Sequence, residues 1–112
     1  MYRGQLIADE KREGAGIMVY ENGRIFEGGW KRDKRDGQGY ELYSNGNTYE
    51  GMFKKGRANG YGIYKWKHGE VYEGEWVNGQ RCGFGKWTSN HIFGLWIAYR
   101  FFWRDVQWDL EN

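Results

Sequence analysis

Proline is absent from the 112 residues, cysteine occurs once and histidine twice. The 19 glycines do not fall at every third position, which excludes a collagen-like chain. The single Cys82 cannot form an intramolecular disulfide, and the start lacks a charged segment followed by an apolar core. Both point to the reducing cytosol. The longest apolar stretch, Ile92 to Trp103, is broken by Arg100 and falls far short of the ~20 residues a spanning helix needs. A soluble or peripheral protein is expected. The net charge of +2 is too small to argue for a nucleic-acid partner.

Catalytic and metal-binding patterns are also missing. None of the Gly-x-Gly pairs completes G-x-G-x-x-G, because the sixth places hold Val19, Leu42, Lys65 and Thr88. Gly85-Lys86 resembles the end of a phosphate-binding loop, but position 80 is Gln80 and position 87 is Trp87. His68 and His91 stand alone, and Cys82 has no histidine at a recognisable motif spacing. Metal-ligand spacing is absent, so no cofactor and no enzymatic role are expected.

What the chain does have is aromatic residues, 20% of the total, which disordered chains lack, and a phrase repeated three times. Phe26-Glu27-Gly28-Gly29-Trp30, Tyr49-Glu50-Gly51-Met52-Phe53 and Tyr72-Glu73-Gly74-Glu75-Trp76 each lead into a Gly-x-Gly pair, at Gly37/Gly39, Gly60/Gly62 and Gly83/Gly85. From Gly37 to Gly60 to Gly83 the step is 23 residues, and Gly14/Gly16 and Gly23 extend the series backwards. A fixed period of this size means a stacked repeat array.

Asn22-Gly23, Asn45-Gly46 and His68-Gly69 lie between strand-like runs and predict tight hairpin turns of type I′. The paired runs are Ile17 to Tyr20 with Arg24 to Trp30, Tyr40 to Tyr43 with Thr48 to Phe53, and Ile63 to Trp66 with Val71 to Trp76. Polar loops are expected at Lys31 to Asp36, Lys54 to Asn59 and Val77 to Cys82, and an edge strand at residues 2–7. Strand alternation sets Tyr49, Gly51 and Phe53 on one face and Glu50 on the other. The glycine between two aromatics leaves a gap that a neighbouring ring can fill. Glu27, Glu50 and Glu73 then form a periodic ladder expected to pair with loop cations.

This pattern resembles the MORN repeat family over about four units, residues 2 to 91. The first unit is degenerate, with Arg3 in place of Glu, Leu6 in place of an aromatic and one extra residue before Gly14. The last is incomplete, since Ile92 stands where its final glycine would fall. The resemblance implies an all-β fold, a single-layer antiparallel meander of stacked hairpins, used as a noncatalytic scaffold. Residues 1–91 form the array and 92–112 an aromatic cap or docking tail. Within the tail, helical spacing gathers Trp96, Tyr99, Trp103 and Val106 on one face, and a helix is expected there after a short extended piece.

A one-layer sheet of this length cannot cover both faces. Its aromatic columns therefore have two readings, internal stacking or a groove for a partner segment. The candidate partner-binding residues are Phe26, Trp30, Tyr49, Phe53, Tyr72, Trp76, Trp96 and Trp103. The expected partners are other protein subunits of a larger assembly. By resemblance that assembly is cytoplasmic and cytoskeletal, with a cilium or flagellum axoneme as the favoured setting. The alternative is an anionic membrane lipid held by basic loops, through Lys31, Arg32, Lys34, Arg35, Lys54, Lys55 and Arg57. Neighbouring acids (Asp9, Glu10, Glu13, Asp33 and Asp36) make that rim mixed in charge.

Overall fold

A computed structural model describes residues 1–7, 10–91 and 94–102, with backbone alone for residue 84 and from residue 89 onward. Among these residues the chain forms one antiparallel sheet in which every strand pairs with the next in sequence. The strands are β1 (Tyr2–Leu6), β2 (Arg12–Val19), β3 (Ile25–Lys31), β4 (Lys34–Leu42), β5 (Thr48–Lys54), β6 (Arg57–Lys65), β7 (Val71–Val77), β8 (Gln80–His91) and β9 (Gly94–Phe102). It is the single-layer meander that the repeat implies. The expected pairs recur as β2–β3, β4–β5 and β6–β7.

Two expectations about the connections are overturned. At the Asn-Gly ends, the glycine N–H donates to the carbonyl three residues back: Gly23 to Tyr20 (3.1 Å), Gly46 to Tyr43 and Gly69 to Trp66 (both 3.0 Å). Only the glycine has positive φ there, so these are three-residue turns closed by a left-handed glycine rather than type I′ turns. The stretches expected to be polar loops are instead mostly strand, joined by two-residue turns at Arg32-Asp33, Lys55-Gly56 and Asn78-Gly79. In each, both residues have positive φ (48° and 72°, 52° and 85°, 51° and 81°), which is the type I′ signature. Strand twist demands this geometry even where Arg32 and Asp33 must adopt it. The Asp33 carboxylate is held there by Arg12 Nε at 2.5 Å.

The two glycines of each pair do different jobs. The first sits where the register shifts between phrase strand and next strand, and Gly60, for example, has φ +101°, which only glycine adopts without strain. The second lies under the first ring of the phrase. A Cβ at Gly39 would stand 2.6 Å from Phe26 Cε1, and one at Gly62 would stand 2.2 Å from the Tyr49 hydroxyl oxygen and 2.4 Å from its Cε1 and Cζ. Cross-strand registers join Gly4, Gly16, Gly28, Gly39, Gly51, Gly62, Gly74 and Gly85 into one row across eight strands. The degenerate first unit follows the same plan, with Tyr2 over Gly16.

On that row rests a continuous chain of rings. Tyr2, Trp30, Phe26, Phe53, Tyr49, Trp76 and Tyr72 meet edge to face in turn, centroids 5.0–5.5 Å apart and planes 84–90° apart. Each such pair adds roughly 0.5–1.5 kcal/mol beyond area burial. Trp30 and Trp76 also donate Nε1–H to the carbonyls of Gly16 (3.2 Å) and Gly62 (3.1 Å).

The helix expected in the tail is overturned over Gly94–Phe102, which extends the sheet beyond position 91 by pairing along β8 from Gly83↔Phe102 to His91↔Gly94. The unpaired backbone along β8 is the physical reason: a strand satisfies a whole row of N–H and C=O groups that a helix would leave open. Trp103 and Val106 lie outside the described residues.

Candidate binding site on the ring face

The six expected anchors in the array are not surface residues. Phe26, Trp30, Tyr49, Phe53, Tyr72 and Trp76 are 0–4% exposed, because each rests on glycine backbone and is enclosed by its neighbours. Burial keeps the Tyr49 hydroxyl protonated well above the usual phenol range, with Glu75 adding to the effect. Burial likewise pushes Tyr72 up to about 12, partly opposed by Arg81. For Trp96 only the backbone is described, within β9.

Above this floor stands a second aromatic row toward the Asn-Gly ends: Tyr43, Tyr64, Trp66 and Trp87, with centroids 5.6, 4.6 and 4.9 Å apart in turn. Tyr43, Trp66 and Trp87 are half-buried and present ring surface. Toward the type I′ ends lies a column of cations. Arg12 stacks 4.4 Å from the Trp30 centroid, Arg35 5.2 Å from Phe53 and Arg81 5.2 Å from Trp87.

Between the rows, Glu41 is 2% exposed and binds two arginines. Its Oε2 accepts from Arg24 Nη2 and its Oε1 lies 2.8 Å from Arg35 Nη1. Burial opposes the charge of Arg24, but the hydrogen bond and the charge of Glu41, with smaller help from Tyr20 and Tyr43, together outweigh it and hold the guanidinium above its ordinary pKa. Arg35 also donates Nη2–H to the Gly56 carbonyl at 2.6 Å. A cavity of about 390 Å³ opens beside this network, lined by Arg24, Arg35, Glu41, Tyr43, Phe53, Gly56, Arg57, Ala58, Asn78 and Gly79. Of the expected anchors, only Phe53 reaches it.

The expected lipid rim is split by the sheet. Lys31, Arg32, Lys34, Lys54 and Lys55 line a groove of about 550 Å³ together with Asp36. Arg35 and Arg57 line the ring-face cavity instead, so they leave the rim. Glu13 and Asp33 are engaged by the Arg32 N–H (2.9 Å) and Arg12. The glutamate ladder is corrected too. Glu27, Glu50 and Glu73 lie on the opposite face, across from Tyr40, Ile63 and Lys86, and among the described residues none forms an ion pair with a turn cation.

Arg24, Glu41, Tyr43, Ala58, Trp66 and Trp87 were not singled out from the sequence. The signal was available in the columns at 23-residue spacing. Met18, Glu41, Tyr64 and Trp87 form one, where a lone carboxylate interrupts an apolar series.

The fold and this face define a β-hairpin repeat array whose aromatic rings lie on a glycine row. The model of the MORN repeat matches residues 26–48, 49–71 and 72–90, more than half of the chain, and the chain belongs to the MORN repeat family. MORN repeats are in general protein or membrane interaction modules. No curated protein sequence matches the chain.

Proposed function

We propose that the array is a noncatalytic scaffold that docks a segment of a partner protein along its ring face. The carrying observation is the prebuilt cavity of about 390 Å³ lined by Tyr43, from which the second ring row continues through Tyr64 to the half-buried Trp66 and Trp87. Aromatic and arginine side chains around a desolvated pocket are the usual hot spots of interfaces, and a floor of locked rings lowers the ordering cost of binding. The six buried rings act as that floor, and contact falls to the second row and the arginines. Glu41, with both oxygens occupied, is spent on structure rather than acid–base work. A cytoskeletal or ciliary (axonemal) assembly in the cytoplasm is the proposed setting, on family resemblance alone.

The second reading is a peripheral membrane module. It is favoured by the convergence of Lys31, Arg32, Lys34, Lys54 and Lys55 on one groove, where polybasic attraction is worth about 1 kcal/mol per residue near an anionic surface. The discriminating experiment compares Trp66→Ala with Lys54→Glu/Lys55→Glu in affinity capture and in anionic-vesicle sedimentation. Ring-face docking predicts that only the first loses its protein partners and that capture survives high salt. Vesicle binding abolished by salt and by the charge reversal, with no partner lost in Trp66→Ala, gives the array to the membrane.

A further inference from the structure

The cavity on the ring face is a break in the repeat, and the break says what fits it. At 23-residue spacing Arg12, Arg35, Ala58 and Arg81 occupy one column. The backbone treats the first three alike. The carbonyls of Arg12, Arg35 and Ala58 accept N–H from Asp33 (2.9 Å), Gly56 (2.8 Å) and Gly79 (2.9 Å), the second residue of the next type I′ turn. Arg12 and Arg35 then return a guanidinium N–H to the carbonyl of that same turn residue, at 3.1 and 2.6 Å. Ala58 has no side chain to return, and the volume an arginine would fill is open next to Gly79.

Charge decides the occupant. The lining carries Arg24, Arg35 and Arg57 against the single carboxylate of Glu41, which is already shared by the first two. Arg24 Nε is buried and donates to nothing, and Arg57, which also lines the cavity, is exposed. A further cation from a partner would join an excess of positive charge, whereas a carboxylate would meet donors fixed in place. Phe53, Tyr43 and Ala58 supply apolar wall for the short stem of an acidic side chain.

We propose that this cavity recognises an aspartate or glutamate side chain of the docked partner segment. The proposal rests on the ring-face docking reading and adds its specificity. Ala58→Arg, which restores the column, should plug the pocket while preserving the fold, and Arg57→Gln should weaken it without filling it.

The test uses the full chain and a positional-scanning library of 12-residue peptides in which each position is fixed in turn as Asp, Glu, Gln, Leu or Lys. The expected result is a preference of about tenfold or more for Asp or Glu over Gln at one position. That preference should be lost in Ala58→Arg and reduced in Arg57→Gln, with circular dichroism unchanged. Peptide binding with no acidic preference, or with one indifferent to both variants, overturns the carboxylate pocket and leaves docking standing. Absence of all peptide binding overturns both. Should Ala58→Arg unfold the chain, Arg57→Gln alone decides. Loss of anionic-vesicle binding in Ala58→Arg, with no peptide preference, would assign the pocket to a lipid headgroup and overturn the proposal.

Discussion

The two faces of this sheet share every backbone hydrogen bond and differ in almost everything else. On one, rings lie over a glycine row and meet edge to face, and Phe26, Tyr49 and Tyr72 are 0% exposed. On the other, Ile17, Tyr40, Met52 and Tyr61 are 38–53% exposed, and Glu27, Glu50 and Glu73 run between Ile17, Tyr40, Ile63 and Lys86 across the strands. A sheet one layer thick has no second layer to bury a face. This one buries a face against itself, by removing Cβ atoms where rings must lie and letting each ring shelter the next. Stability is concentrated on one side, and substitutions should report that asymmetry.

The largest effect is expected from Trp76→Ala, which removes a 1%-exposed ring touching Tyr49 and Tyr72 and the bond to the Gly62 carbonyl. A loss of about 3–5 kcal/mol in denaturant unfolding is expected. Tyr61→Ser on the other face should change stability by no more than about 0.5 kcal/mol, and equal losses would break the comparison. Next comes Gly62→Ala. Its Cβ would come within 2.4 Å of Tyr49 Cε1 and Cζ and force the ring off the sheet, costing about 1–3 kcal/mol.

Alkaline titration sharpens the same contrast. Tyr49 and Tyr72 hold their protons in the folded array with raised pKa values, Tyr72 at about 12, whereas an unfolded phenol ionises near 10. Folded chains therefore bind more protons than unfolded ones between those values. The contribution is complete below about pH 10 and is lost as pH rises through about 12. Tyrosinate absorbance from Tyr49 and Tyr72 should appear only as the array unfolds.

The smallest expected change is a gain. Lys55 has φ 52° before Gly56, and Lys55→Asn supplies the dipeptide that a type I′ turn favours. It should stabilise by about 0.5 kcal/mol, seen as a slightly raised midpoint, with binding at the ring face unaffected.

Much of the fold was legible because its signals are local. The phrase, its 23-residue step and the alternation within each strand assign strands and faces without long-range information. Turn type was not legible. Arg32-Asp33 carries no sequence mark of positive φ, and only the twist of the paired strands, together with Arg12 reaching Asp33 from the preceding repeat, imposes it. The tail misled because its aromatics fit helical spacing, while the open backbone edge that it pairs with belongs to β8. The cavity was half legible. Glu41 and Ala58 are visible as exceptions in their columns, but that Arg24, Arg35 and Arg57 converge around them depends on residues from two strands, β4 and β6, and the turn before β3.

By itself the sequence determined the repeat, the order of strands and which residues share the ring face, since each follows from spacing along the chain. The tertiary structure alone decided which rings are floor and which are surface. It also decided which cations face the rim and which the cavity, and that Ala58 leaves space rather than merely a small side chain. Those outcomes depend on distances between neighbouring repeats, where a missing guanidinium becomes a pocket only because the units on either side hold their arginines in place.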